Sequence, residues 1–329
     1  MSLKIVLSEM RDFSADALGL LHALGAVAMY DILDRSELIV RCSDADVLWI
    51  RLRHHIDAEV MSAAPRLRAI VSPTTGLDHI DLDEAEALGI AVLSLKGESR
   101  FLDGITATAE QTWALLLELA RRTGSAHADV LRGHWNRDAW RGRGLKGRTL
   151  GLLGHGRLGR IVGEYGHAFR MPVIAHDPYV RDFPTHVRPV SFDELLATAD
   201  ILSVHVPLDA STEGLLDARA LSRMKKGAWL INTSRGRIVD DPALVDALRS
   251  GRLGAAALDV LGGETGHCSD WLMAHPALAY AQTHDNLILT PHIGGATEEA
   301  MAETEIFMAQ KLKAYLLSGG HDGLPGQSN

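Results

Sequence analysis

Short apolar runs of four or five residues recur along the chain, each followed by a stretch with helical spacing. This alternation predicts βα units built around parallel sheets. In the first third, Lys4–Leu7, Val47–Arg51, Ala69–Ser72 and Ile90–Leu93 predict strands, with helices between them such as Ala15–Leu24 and Leu82–Leu88. Gly25 and Gly89 stand just beyond those two helices, where a helix end favours a left-handed residue. A longer helix is expected from about Thr106 to Arg122, rich in alanine and leucine, with two arginines in its last turn and Gly124 after it. Arg132–Arg148 has no period and reads as a loop or broken helix. A second series then begins, with strands expected at Thr149–Leu153, Val173–His176, Ile201–His205, Trp229–Asn232, Ala255–Leu258 and Leu287–Thr290. Ser191-Phe192-Asp193-Glu194 is a capping-box pattern, and Asp241-Pro242 sets a proline behind a capping acid. A final helix is expected over about Ala296–Leu317.

Two such series predict an α/β protein of two Rossmann-like or flavodoxin-like, doubly wound parallel-sheet domains with a cleft between them. Residues 1–103 plus 296–329 are expected to form one domain and residues 104–295 the other, the last helix returning to the first. The length of 329 residues agrees, being too great for one typical core. No short-period repeat or low-complexity segment interrupts the pattern.

Composition narrows the function classes. Apolar residues at 47% and charged residues at 23% are ordinary for a soluble protein, and a net charge of −9 argues against a nucleic-acid partner. The N-terminal apolar run is broken by Glu9 and Arg11, too early for a signal peptide. The richest apolar window, Trp113–Ala120, carries Glu118 and is far shorter than a membrane span of ~20 residues. A cytoplasmic location and no membrane partner are therefore expected. Cys42 and Cys268 make neither a disulfide framework nor a zinc site and are expected to be unpaired. His54-His55 has no accompanying cluster at ligand spacing, so no metal is expected.

The sharpest local signal is Gly154-His155-Gly156-Arg157-Leu158-Gly159, which fits G-x-G-x-x-G between an expected strand and an expected helix. In this pattern the first glycine permits a tight turn, the second lets a pyrophosphate approach the backbone, and the third lets helix pack on strand. The helix start offers free N–H groups and a positive dipole end. Asp177 ends the next strand, 18 positions after Gly159, near the spacing of an acid that binds ribose hydroxyls. A carboxylate there repels a 2′-phosphate, and no arginine adjoins it, so NAD is favoured over NADP. Carbonyl reduction with a nicotinamide also needs an acid–base group and a cation. Arg235, Glu264 and His292 each follow an expected strand and are candidates.

Six segments then resemble one family in their order: Thr75-Gly76-Leu77-Asp78-His79-Ile80-Asp81-Leu82, the glycine loop, Val204-His205-Val206-Pro207-Leu208, Asn232-Thr233-Ser234-Arg235-Gly236, Asp259-Val260 with Glu264, and Thr290-Pro291-His292-Ile293-Gly294-Gly295. The chain resembles the NAD-dependent D-2-hydroxyacid dehydrogenases, the group that includes D-3-phosphoglycerate dehydrogenase. The resemblance implies hydride transfer between a D-2-hydroxy acid and its 2-keto acid. It implies that His292 is the proton donor or acceptor, that Glu264 bonds the other ring nitrogen, and that Arg235 binds the substrate carboxylate and keto oxygen. Cofactor-lining positions fall on Thr75, Arg157, Leu158, Val206, Thr233, Ser234, Asp259, Gly294 and Gly295, with Asp259 near the nicotinamide amide. Substrate contacts fall on Arg51, Thr75, Gly76 and Arg235, and a homodimer through the nucleotide domain is implied.

Three positions depart from the family pattern. Thr265 replaces a proline after Glu264 and opens a long segment from Gly266 to Asp285. Arg51-Leu52-Arg53 lacks the serine of the usual Arg-Ser pair, and Gly104 replaces an asparagine. By the resemblance these positions shape substrate contacts in phosphoglycerate dehydrogenases, so among the implied substrates, 3-phosphoglycerate, glyoxylate or a hydroxypyruvate-like acid, the changes argue against the first and leave the hydride chemistry intact. The basic stretch of Arg132, Arg137, Arg141, Arg143, Lys146 and Arg148 reads as a solvated loop, a phosphate site or a subunit contact. No regulatory domain is expected after the last helix. Two other functions fit the fold: a non-catalytic NAD(H)-sensing protein, and a formate or phosphite dehydrogenase.

Overall fold

The computed structural model describes residues 3–265 and 271–319, so Cys268 and residues 266–270 of the long segment after Glu264 lie outside the described residues. The described residues form two compact units, one of residues 3–105, 264–265 and 296–319, the other of residues 106–263 and 271–295.

In the first unit five strands, β1 (Lys4–Leu7), β2 (Ala26–Met29), β3 (Val47–Trp49), β4 (Ala69–Ser72) and β5 (Ala91–Ser94), form a parallel sheet in the order β2-β1-β3-β4-β5. Side chains alternate between two buried faces. Ile5, Leu7, Val47, Trp49, Ala69 and Val71 pack with Ala17 and Leu21 of helix Ala15–His22 and with Met308, Ala309 and Leu312 of helix Glu298–Leu317. Val6, Leu48, Ile50 and Ile70 pack on the other face with Leu38, Val60 and Met61. Burial on both faces is why these strands read as continuous apolar runs and not as alternating ones.

The second unit holds β6 (Leu150–Leu153), β7 (Val173–His176), β8 (Val187–Pro189), β9 (Ile201–Val204), β10 (Ala228–Asn232), β11 (Leu253–Leu258) and β12 (Leu287–Leu289). They pair in parallel in the order β12-β11-β10-β9-β6-β7-β8. The order reverses direction at the β6/β9 pair. In open parallel sheets the crevice for ligands lies at such a point, outside the carboxyl ends of the strands.

Several expectations are corrected. β2 and β8 have no counterpart in the apolar pattern. Both are edge strands: β2 is alanine-rich and incompletely buried, and β8 buries only Val187 of Val187-Arg188-Pro189. Neither has the β-branched, two-sided burial that marks a strand in sequence. The long helix ends at Arg121, and Arg122 takes the left-handed conformation (φ 53°) before a further helix, Thr123–Leu131. Gly124 therefore begins a helix instead of ending one, its N–H donating to Glu118 Oε1 at 3.1 Å. Gly89 has the expected positive φ of 68°, but Gly25 does not; a side chain there would meet Leu3 O at 2.3 Å. The cap of helix Asp241–Arg249 is Asp240, which accepts from Ala243 N at 2.9 Å, so Asp241 is free for another task. Cys42 is buried, and burial pushes its thiol up to about 11.

Candidate functional site

Gly154 follows β6 with φ 94°, at the sheet's switch point. A side chain there would lie 2.6 Å from His205 O and 3.0 Å from Val206 Cγ1, so the loops after β6 and β9 touch through bare backbone. Gly159 faces the same limit, with Gly154 O 2.3 Å from where its Cβ would be. Gly156 differs: nothing lies within 4 Å of its missing side chain. It also precedes helix Arg157–Ala168, so Arg157 and Leu158 begin a helix whose positive end carries no side-chain cap. This is the cradle that a pyrophosphate requires, and the residues present fit a dinucleotide.

Asp177 closes the loop from the side of β7. Its Oδ2 accepts from His155 N at 2.8 Å and its Oδ1 from Tyr179 N at 2.9 Å, so the carboxylate is fixed beside the glycines. His155 itself is buried, stacked on Phe183 with ring centroids 4.9 Å apart. Burial, then the charge of Arg160, holds its imidazole below the ordinary histidine range.

Arg235, Asp259 and His292 leave the carboxyl ends of β10, β11 and β12, on the same edge as the glycine loop because the seven strands are parallel. Asn232 organises the first of these loops. Its amide accepts from Ser234 N at 3.0 Å and donates to Arg235 O at 2.8 Å, while the Ser234 hydroxyl donates to Val206 O. Asp259 organises the last. It is 1% exposed, and its carboxylate accepts from Thr290 Oγ1 at 2.5 Å, Ile293 N at 3.0 Å and Gly294 N at 2.7 Å. Its carbonyl accepts from His292 N at 2.8 Å. Burial raises the Asp259 pKa against the lowering effect of these donors. His292 is held with φ 53°, a left-handed conformation uncommon for a side chain other than glycine. Gly295 follows in an exposed position.

Reading the motifs alone misses the buttress behind these loops. Helix Ala107–Arg121 carries Thr108, Gln111 and Thr112 on one face. Thr112 Oγ1 bonds Thr233 Oγ1 at 2.8 Å, and Gln111 donates to Thr290 Oγ1 at 3.3 Å. Thr108 Cγ2 lies 3.1 Å from where a Gly294 side chain would project. The available signal was polar residues spaced i, i+3, i+4 inside an otherwise apolar helix.

In the first unit, Thr75 and Gly76 lie in the loop after β4, Thr75 exposed, with Thr74 Oγ1 donating to Gly76 O at 2.8 Å. Arg51 follows β3. Its guanidinium donates to the buried carboxylate of Glu305 and to Arg11 O at 3.0 Å, so both of its terminal nitrogens serve the first unit itself. Arg53 likewise reaches Asp31 at 2.7 Å. Glu264 belongs to the first unit by its contacts, five positions beyond Asp259.

A sequence model described as D-isomer specific 2-hydroxyacid dehydrogenase, NAD binding domain, matches residues 113–294. A D-3-phosphoglycerate dehydrogenase of Mycobacterium leprae is 38% identical over 286 residues, 86% of this chain and 51% of the relative. The chain thus spans about half the length of that relative. A glyoxylate reductase of Aeropyrum pernix is 39% identical over 290 residues, 84% of this chain and 82% of the reductase. Among solved structures, a D-lactate dehydrogenase from Aquifex aeolicus complexed with NAD and lactic acid aligns over 96% of each chain at a TM-score of 0.81 and 29% identity.

Proposed function

The chain belongs to the D-isomer specific 2-hydroxyacid dehydrogenase family, and from that premise we propose that it interconverts a small D-2-hydroxy acid and its 2-keto acid with NAD(H). One observation carries the reading: the open glycine cradle and the Arg235, Asp259 and His292 loops emerge at one edge of one parallel sheet. In this reading Gly154, Gly156, Arg157, Leu158 and Gly159 hold the pyrophosphate, and Asp177 takes the adenosine ribose. Val206, Thr233, Ser234, Asp259, Gly294 and Gly295 line the remainder of the cofactor site. The bound nicotinamide supplies or accepts the hydride.

Arg235 orients the substrate through its planar fork of donors, which matches a carboxylate and an adjacent carbonyl oxygen. His292 gives a proton to the carbonyl oxygen, or takes one from the alcohol, with Glu264 as the carboxylate of the trio. Thr75 and Gly76 offer backbone donors to the substrate carboxylate. Arg51 contributes only with donors that Glu305 and Arg11 leave. The protein in this reading works in the cytoplasm as a homodimer. Among the described residues no helix is long and apolar enough to cross a membrane.

The test follows NADH absorbance with glyoxylate, hydroxypyruvate, pyruvate, phosphohydroxypyruvate and bulkier 2-keto acids, and NAD reduction with formate. Turnover of at least one 2-keto acid is expected, and His292→Ala should lower kcat by ~100-fold. NADH binding without turnover anywhere on the panel would sink the enzyme reading in favour of a sensing protein.

A further inference from the structure

Asp241 and His275 form a nearly buried pair that neither the glycine cradle nor the trio uses, their side chains 11% and 8% exposed. One oxygen, Asp241 Oδ2, accepts from His275 Nε2 at 3.1 Å and from Gly262 N at 3.2 Å. His275 Nδ1 accepts from Ala277 N at 3.2 Å, which fixes the ring's proton on Nε2. His275 thereby caps helix Pro276–Ala281 while donating to Asp241, and Trp271 packs edge-on against its ring at 5.7 Å.

The clamped backbone lies at a junction. A side chain at Gly236, directly after Arg235, would sit 2.0 Å from Leu261 C and 2.3 Å from Gly262 N. The loops after β10 and β11 therefore touch without side chains between them. On its other side Gly262 has Asp241 Oδ2 2.8 Å from where its own Cβ would be. Gly262 stands two positions before Glu264, so one amide links the segments that carry Arg235 and Glu264.

We propose that Asp241 and His275 are positioning residues for the reaction, holding Gly262 N against the loop after β10 so that Arg235 keeps its catalytic position. The proposal rests on the dehydrogenase reading above. It also gives a task to residues 271–281, which belong to the described part (271–285) of the segment that lengthens the chain after Glu264. Displacement of a positioned group by about 1 Å can cost ~100-fold in rate, and the glycine cradle lies elsewhere on the edge. Loss of the clamp should therefore fall on kcat far more than on NADH binding, whose pyrophosphate hold is the glycine cradle, while Thr233, Ser234 and Asp259 keep their own bonds to Thr112, Val206 and Thr290.

The experiment compares the full chain with Asp241→Ala, His275→Leu, His275→Gln and His275→Asn. It measures kcat and KM with the best 2-keto acid, and NADH Kd by fluorescence. Glutamine puts an amide donor where Nε2 stands; asparagine reaches only the Nδ1 position. We expect Asp241→Ala, His275→Leu and His275→Asn to lose ten-fold or more in kcat with NADH Kd within two-fold, and His275→Gln to recover most of the loss. Wild-type kcat in Asp241→Ala, equal kcat in the glutamine and asparagine variants, or kcat and NADH affinity lost in parallel would each overturn the proposal. Should Asp241→Ala or His275→Leu fail to fold, the glutamine–asparagine pair decides alone. If the wild-type chain turns over no 2-keto acid, the dehydrogenase reading itself is what has failed.

Discussion

At the scale of single residues, the three glycines of the cradle have different reasons to be glycine. Gly154 and Gly159 are fixed by the protein's own backbone, whereas Gly156 faces open space. Alanine at 159 should lower the melting temperature, because its Cβ meets Gly154 O. Alanine at 156 should leave the melting temperature within about 2 °C and weaken NADH by ten-fold or more, since only the ligand would meet the new methyl. Thermal unfolding and fluorescence titration of the two variants check this, and equal effects on both properties would contradict it. The motif was legible because spacing alone requires the glycines. Asn232 stands within a motif, but nothing in the sequence marks it as the residue that staples Ser234 and Arg235. Its work is done by an amide folding back on its own loop, and no spacing rule announces such a bond.

At the scale of elements, apolar runs made ten of the twelve strands among the described residues readable, most through two-sided burial, and the two missed, β2 and β8, are two of the four edge strands. The last helix was legible as a helix from its pattern, but its anchor was not. Glu305 is 1% exposed inside that helix, accepting from Ser14 N at 2.7 Å and from Arg51. A glutamate in a helix normally reads as a solvent-facing position. Breaking a buried ion pair by removing one partner costs about 3–5 kcal/mol. Glu305→Ala should therefore destabilise the first unit by about that amount in a urea titration. A change below about 1 kcal/mol would show that the pair is solvated in solution.

At the scale of the whole molecule, acid is expected to act through the histidines of the second unit. Burial lowers the His205 imidazole to about 3, with His155 adding to the effect. In the unfolded chain the same group titrates near 6.5. The folded state thus binds fewer protons below that value. The contribution of His205 is whole above pH 6.5 and is lost as pH falls toward the folded value. Between pH 6.5 and 5 the carboxylates remain largely ionised, so the slope there reports the histidines. Replacing His205 with glutamine should flatten the slope of unfolding free energy by about 1 kcal/mol per pH unit averaged over that range, since half the unfolded rings are protonated at pH 6.5 and nearly all at pH 5. An unchanged slope in urea titrations across that range would show that the ring is hydrated in the folded state.

The pairing of Arg51 with Glu305 also sets an order of events during synthesis. These residues are 254 positions apart in the chain, and Ser14 and Glu305 are 291 apart. At ribosomal speeds of about 5–20 residues per second, Arg51 emerges roughly 10–50 s before its carboxylate exists. The seven strands of the second sheet are all made within that interval. The nascent first unit therefore waits, with Arg51 lacking its carboxylate and one sheet face covered only in part, by helix Ala15–His22, while the glycine cradle and its sheet are completed ahead of it.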